Sequence, residues 1–264
     1  MRLIDTHCHL YLEDFSKDLD EVMQRAIDAG VEKFFLPAID SLVIDDLLGM
    51  EKKFPDRCFA MMGLHPCSVK EDFKTELQLV NEYINKRSFA AIGEIGLDFY
   101  WNTTFVNQQY EAFEMQMNRA LEKNLPVVIH TRNAMQETIN AVRPFAAKNL
   151  TGIFHCFGDA YEMAAQIIDM GFYLGIGGVL TYKKSGLDSV IKNIDLKHIV
   201  LETDAPYLTP VPFRGKRNES SYLKIIATKL AEVKNISADE VASITTANAE
   251  KIFSRNKIDE RARI

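Results

Sequence analysis

Seven side chains able to bind or serve a divalent cation lie in or at the ends of short apolar runs: His7, His9, His65, Glu94, His130, His155 and Asp204. Imidazole and carboxylate hold borderline and hard divalent ions, and hydrolytic sites gather such groups around an activated water. His7-Cys8-His9 has the i, i+2 spacing that sends both imidazoles to one face of an extended chain, as a shared ion requires. Glu94 interrupts the apolar stretch Ile92-Gly93-Glu94-Ile95-Gly96-Leu97, where a buried carboxylate needs partners. One carboxylate oxygen on each of two ions would supply them. A lone histidine at a strand end is most often a hydrogen-bonded structural residue. What argues for a metal centre is that all these positions are expected at the same rim of one fold.

The residues divide into two sets, His7, His9, Glu94 and Asp204 around one ion and Glu94, His130 and His155 around another. Two divalent cations are expected, with magnesium, manganese and zinc all compatible with these donors. A water held between them would be acidified, and Asp204 is the candidate to take its proton as general base while remaining a ligand. His65 is assigned to substrate phosphate or the leaving group. Arg132, two residues beyond His130, is a candidate phosphate clamp, with a surface ion pair as the alternative. Glu202 and Asp98 suit the orienting of imidazoles. Phe99, Tyr100, Trp101, Tyr207 and Phe213 either stack nucleobases or pack loops, and the basic run 214–217 either meets a phosphate backbone or is a solvated turn. His198 opens the last strand at the opposite end and is left out of the site.

What must position these groups is an alternation of short apolar runs with longer amphipathic stretches, the pattern of βα units around a parallel sheet. Strands are expected at 3–7, 33–37, 58–63, 90–95, 127–130, 152–155, 172–176 and 198–203, with helices at 18–29, 42–53, 74–86, 105–123, 134–148, 160–170 and 187–193. Eight such repeats in an α/β chain predict a closed (β/α)8 TIM-type barrel, whose active sites lie at the C-terminal rim of the strands. An open doubly wound sheet would need a glycine-rich turn after the first strand, where this chain has His7-Cys8-His9-Leu10. Two additional C-terminal helices follow at 219–234 and 238–253, the second opened by Ser237 with Glu240 three residues on. With no linker or repeat, residues 1–264 read as one domain. The charged tail after Phe253 is expected to fray.

With 47% hydrophobic and 26% charged residues the chain has the composition of an ordinary globular protein. Its first residues show no basic region followed by an apolar stretch, and no run is long enough to span a bilayer. Cys8, Cys58, Cys67 and Cys156 lack paired metal spacing and read as reduced thiols of a cytoplasmic protein. In a strand, Cys8 and Cys156 would point away from the neighbouring histidines. The net charge of −6 argues against broad coating of nucleic acid, though bound cations would make the site itself attractive to phosphate. From Val211 onward basic residues outnumber acidic ones, the reverse of the preceding chain.

The motifs Asp5-Thr6-His7-Cys8-His9, Gly63-Leu64-His65-Pro66, Gly93-Glu94-Ile95-Gly96-Leu97-Asp98, His130-Thr131-Arg132, His155-Cys156-Phe157, Glu202-Thr203-Asp204-Ala205-Pro206-Tyr207 and Arg214-Gly215-Lys216-Arg217-Asn218, in this order, resemble the TatD family of metal-dependent deoxyribonucleases within the amidohydrolase-like barrels. The resemblance implies a TIM-type barrel that hydrolyses DNA phosphodiesters with divalent cations, often as an exonuclease on single strands. It implies metal ligation by His7, His9, Glu94, His130, His155 and Asp204, with His65 as an extra active-site histidine. Many members carry an arginine shortly after the Gly-Leu-Asp-aromatic stretch, where this chain has Trp101 and Asn102. The expected function is therefore a 3′–5′ exonuclease on single-stranded DNA, without a membrane or an obligate protein partner. Hydrolysis of a carbon ester or amide, and non-catalytic nucleic-acid binding with structural ions, are the alternatives.

Overall fold

The computed structural model describes residues 1–254, so the expected frayed tail lies almost wholly outside the described residues. Eight parallel strands follow one another in chain order: β1 Leu3–Asp5, β2 Val31–Pro37, β3 Cys58–Met61, β4 Ile92–Asp98, β5 Val127–Arg132, β6 Gly152–Phe154, β7 Tyr173–Ile176 and β8 Ile199–Leu201. They are linked by α1 Leu19–Asp28, α2 Ile44–Lys53, α3 Phe73–Lys86, α4 Val106–Lys123, α5 Met135–Ala146, α6 Tyr161–Asp169 and α7 Leu187–Lys192. Helices α8 Leu223–Lys234 and α9 Ala238–Phe253 complete the described chain. Ladder pairing joins β1 to β3 and β4 to β8 in sequence. Backbone bonds close the remaining seams: Thr6 N to Leu201 O and Asp204 N to His7 O between β8 and β1, and Met62 N to Ala91 O and Gly93 N to Met62 O between β3 and β4. The expected (β/α)8 barrel is the observed fold.

The helices cover the barrel because their apolar residues recur on one face. In α3, Phe73, Leu77, Val80 and Ile84 are buried at helical spacing, and in α1 Val22, Met23 and Ala26 are buried. Ser237 caps α9 by accepting from Glu240 N, as its spacing predicts.

One small cluster draws residues from seven of the strands and from Ala91, directly before β4: Ile4, Phe35, Met61, Ala91, Val128, Ile153, Tyr173 and Val200. Only the barrel interior lets all eight meet, so they form its lower layer. Ala249, Ile252 and Phe253 of α9 pack into the same cluster, and the Phe253 ring stacks on Phe35 at 3.6 Å. Asn248 ties α9 down by donating to Leu196 O and Ile199 O at the start of β8. The last helix thus plugs the end of the barrel opposite the rim. His198 belongs to a 3-10 turn at this end, outside the site as expected.

At the other end the strands depart from expectation in ways that bear on the site. β1 stops at Asp5 rather than His7, because the chain bends at Thr6 and leaves the ladder. β3 and β8 also end early, whereas β4 and β5 stay paired as far as Asp98 and Arg132. Between Ile92 and Ile95 the β4–β5 register shifts. Ile92 and Ile95 both pack in the larger cluster that the helices join, so unbroken alternation from Ile92 would send Glu94 to that side as well; the irregularity turns it in. Gly96, at φ +149°, lets β4 approach β5, since a Cβ there would stand 1.9 Å from His130 O. Among the described residues no helix is long and apolar enough to cross a membrane.

Truncating the plug tests its contribution. Phe253→Ala should destabilise the chain by on the order of 3 kcal/mol, read as a lower denaturant midpoint at unchanged slope. An unmoved midpoint would mean the stack on Phe35 does not help hold the barrel closed.

Candidate metal centre

Glu94 is 2% exposed, and its two oxygens face different partners. Oε2 lies 3.2 Å from His7 Nε2 and 3.8 Å from His9 Nε2, while Asp204 Oδ1 lies 3.7 and 3.6 Å from the same two nitrogens. Oε1 lies 2.9 Å from His130 Nδ1, 3.1 Å from His155 Nε2 and 3.4 Å from His65 Nε2. The strand ends thus bring together the seven residues singled out from the sequence. His155 also comes within reach of His7 and Asp204, its ring stacked on His7 at 3.8 Å.

Several of these rings are oriented by a second partner. Tyr11 Oη donates to Pro37 O at 2.6 Å and therefore accepts from His9 Nδ1 at 2.9 Å. That places the His9 proton on Nδ1 and leaves the Nε2 lone pair facing the cluster. His155 Nδ1 meets Glu202 Oε1 at 3.2 Å, and the same oxygen accepts from Cys156 N. His130 Nε2 meets Asp98 Oδ2 at 2.8 Å. Carboxylates behind imidazoles are the usual support of metal-ligating histidines. His65 differs: its Nδ1 accepts from Cys67 N at 3.1 Å, so the neutral ring keeps its proton on Nε2. That nitrogen is near enough to share an ion with Glu94 and His130, but as a donor it suits an oxygen better than a cation.

The donor set fits divalent ions. Two donors about 2.1 Å from one ion sit roughly 3.0–3.4 Å apart, close to the spacings around each Glu94 oxygen. The Nε2 atoms of His7 and His9 face each other at 3.2 Å, an approach that a shared cation accounts for. Burial would raise the Glu94 carboxyl, but His155, His65 and His7 hold it well below the usual range. Asp204 is likewise held low against its burial by His9 and His155. Both are carboxylates at neutral pH. Burial lowers His7 and His65, whereas His130 and His155, each between two carboxylates, are raised despite burial. Cys8 and Cys156 join none of the possible metal groups among the described residues.

Of the peripheral candidates, Arg132 makes no ion pair among the described residues. Its guanidinium carbon sits 3.9 Å from the Tyr100 ring centroid and 5.1 Å from that of Trp101. Arg217 is committed elsewhere, in an ion pair with Asp18 at 2.7 Å, so that part of the basic run braces a turn. Phe213 packs on Tyr222, whereas Tyr207 is half exposed near His9. Sequence reasoning missed Tyr11 and Asp5. Tyr11 continues the alternate spacing of His7 and His9, a signal that was available. Asp5 is buried beneath the site and accepts from Thr203 N, Thr203 Oγ1 and Ser220 Oγ, clamping β1 to the segment that carries Asp204.

The model of the TatD-related DNase family matches residues 4–254. The metal-dependent hydrolase YabD of Bacillus subtilis is 38% identical over 96% of this chain and 100% of its own length. The protein named 3′-5′ ssDNA/RNA exonuclease TatD of Erwinia tasmaniensis is 30% identical over 96% of this chain and all of its own. The crystal structure of YjjV, a TatD homologue from Escherichia coli, superposes with a TM-score of 0.90 at 28% identity, covering 96% of this chain and 98% of that one. With the barrel and the histidine–carboxylate cluster in place, these likenesses settle the family: the chain belongs to the TatD-related DNases and is a metal-dependent hydrolase.

Proposed function

We propose that the chain hydrolyses DNA phosphodiester bonds as a 3′–5′ exonuclease acting on single strands, with two divalent ions drawn from magnesium, manganese and zinc. The observation that carries this reading is the division of Glu94, whose two oxygens each face a separate set of imidazoles, together with Arg132, two residues beyond His130 on β5 and without an ion pair among the described residues. The name of the Erwinia relative supports it. His7, His9, Asp204 and Glu94 Oε2 would hold one ion, and His130, His155 and Glu94 Oε1 the other. Ions bound there supply Lewis acidity to a phosphoryl oxygen and to an attacking water.

The chain's own groups do the rest. Asp204, anionic at neutral pH, takes the proton of the attacking water. His65 presents Nε2–H to a phosphate or leaving oxygen. Arg132 offers its guanidinium to non-bridging phosphate oxygens, for which its fork geometry is suited. Glu94 is the shared carboxylate. Arg132 favours a phosphate over the uncharged carbonyl of an ester or amide. Four free cysteines fit a reducing, cytoplasmic setting, and the whole chain reads as one domain.

Cleavage of 3′- and 5′-labelled single-stranded DNA with magnesium, manganese, zinc or EDTA tests the reading. Metal-dependent shortening from the 3′ end is expected, and Glu94→Gln should fall to the level of the EDTA control. Asp204→Asn should lower kcat by roughly 100- to 10,000-fold. Turnover of amides or lactones with none of oligonucleotides would replace this reading by carbonyl hydrolysis. Tyr11→Phe removes the hydroxyl that holds His9 Nδ1 and should weaken metal affinity roughly 10- to 100-fold, measured by calorimetric titration. Unchanged affinity would show that Tyr11 does not set the His9 tautomer.

A further inference from the structure

Asp98 has a divided role comparable to that of Glu94. Its Oδ2 contacts His130 Nε2, and its Oδ1 accepts from Tyr100 N at 2.9 Å and Trp101 N at 3.1 Å. One buried carboxylate therefore fixes an imidazole of the candidate metal centre and the backbone of the neighbouring aromatic loop. Tyr100 and Trp101 meet edge to face at 4.9 Å, yet stay 51% and 67% exposed. Large apolar rings held open to water on a tethered loop forgo the burial that normally stabilises them. Arg132 lies over both rings and makes no ion pair among the described residues.

We infer that Trp101, backed by Tyr100, is a stacking platform for an unpaired nucleobase of the substrate, while Arg132 beside it takes an adjacent phosphate. The inference rests on the phosphodiester reading and deepens it. A nucleotide carries a flat π-face and an anion a short distance apart, the two features that an exposed indole and an adjoining guanidinium complement. Stacking of this kind tolerates any base but requires it out of the duplex, so the platform selects for single-stranded ends. Among the described residues the aromatic faces, not a carboxylate, hold Arg132 in place, which leaves its donors for a phosphate.

Trp101 is the sole tryptophan of the chain, so its fluorescence reports directly on the platform. The full-length protein in magnesium is titrated with a phosphorothioate-linked oligothymidylate that resists cleavage, and with an abasic oligomer of the same number of phosphates. Quenching by the first and not by the second is expected. With cleavable single-stranded DNA, Trp101→Ala should raise KM roughly 5- to 150-fold, the loss falling on KM rather than kcat, and Trp101→Phe should recover most of it. Equal quenching by the abasic oligomer, or an unaltered KM in Trp101→Ala, overturns the platform while leaving the nuclease reading intact. Base-dependent quenching in a protein that cleaves no DNA keeps the platform and removes the nuclease.

Discussion

A carboxylate withdrawn from water must be paired or it gives up its charge, and Glu94 is withdrawn inside a barrel among five imidazoles. The rest of the upper barrel follows from keeping that charge. Each oxygen needs its own set of nitrogens, and those nitrogens must present the right atom inward. Tyr11 does this for His9, Glu202 for His155 and Asp98 for His130. Removing one such support leaves the histidine in place but frees its ring to turn or change tautomer.

The barrel meets these demands by dividing its labour along the strands. At the lower end residues of seven strands, with Ala90 and Ala91 just before β4, form an apolar layer that α9 seals. At the upper end regularity is given up where the site needs it. β1 bends after Asp5 to bring His7 and His9 to the cluster, and β4 changes register so that Glu94 points in. Such departures are tolerable because closure bonds such as Asp204 N to His7 O, and the Asp5 clamp on Thr203 and Ser220, still pair the backbone. Asp98 carries the arrangement outward to the Tyr100–Trp101 loop.

Much of this was legible in the chain. The alternation of apolar runs and amphipathic helices predicts the barrel because each βα unit must bury one face. His-x-His, and Glu94 in an apolar run, mark the site because such groups are costly in a core without partners. What was not legible depends on contacts distant in sequence. Nothing local tells that Tyr11 reaches Pro37, that Asp5 meets Ser220, or that Arg217 pairs with Asp18 rather than remaining free. The parity change in β4 was likewise hidden. Counting from Glu94 alone suggests an inward side chain, but only the pairing of Ile92 and Ile95 with β5 reveals the irregularity that puts it there.

The central claim is that Glu94 joins two ion sites. The most direct measurement is a manganese titration of the metal-free protein followed by electron paramagnetic resonance. The account predicts two equivalents bound and the spectrum of an exchange-coupled manganese pair, lost in Glu94→Gln. A spectrum of isolated ions in the wild-type chain, or a coupled pair that survives the substitution, would contradict it.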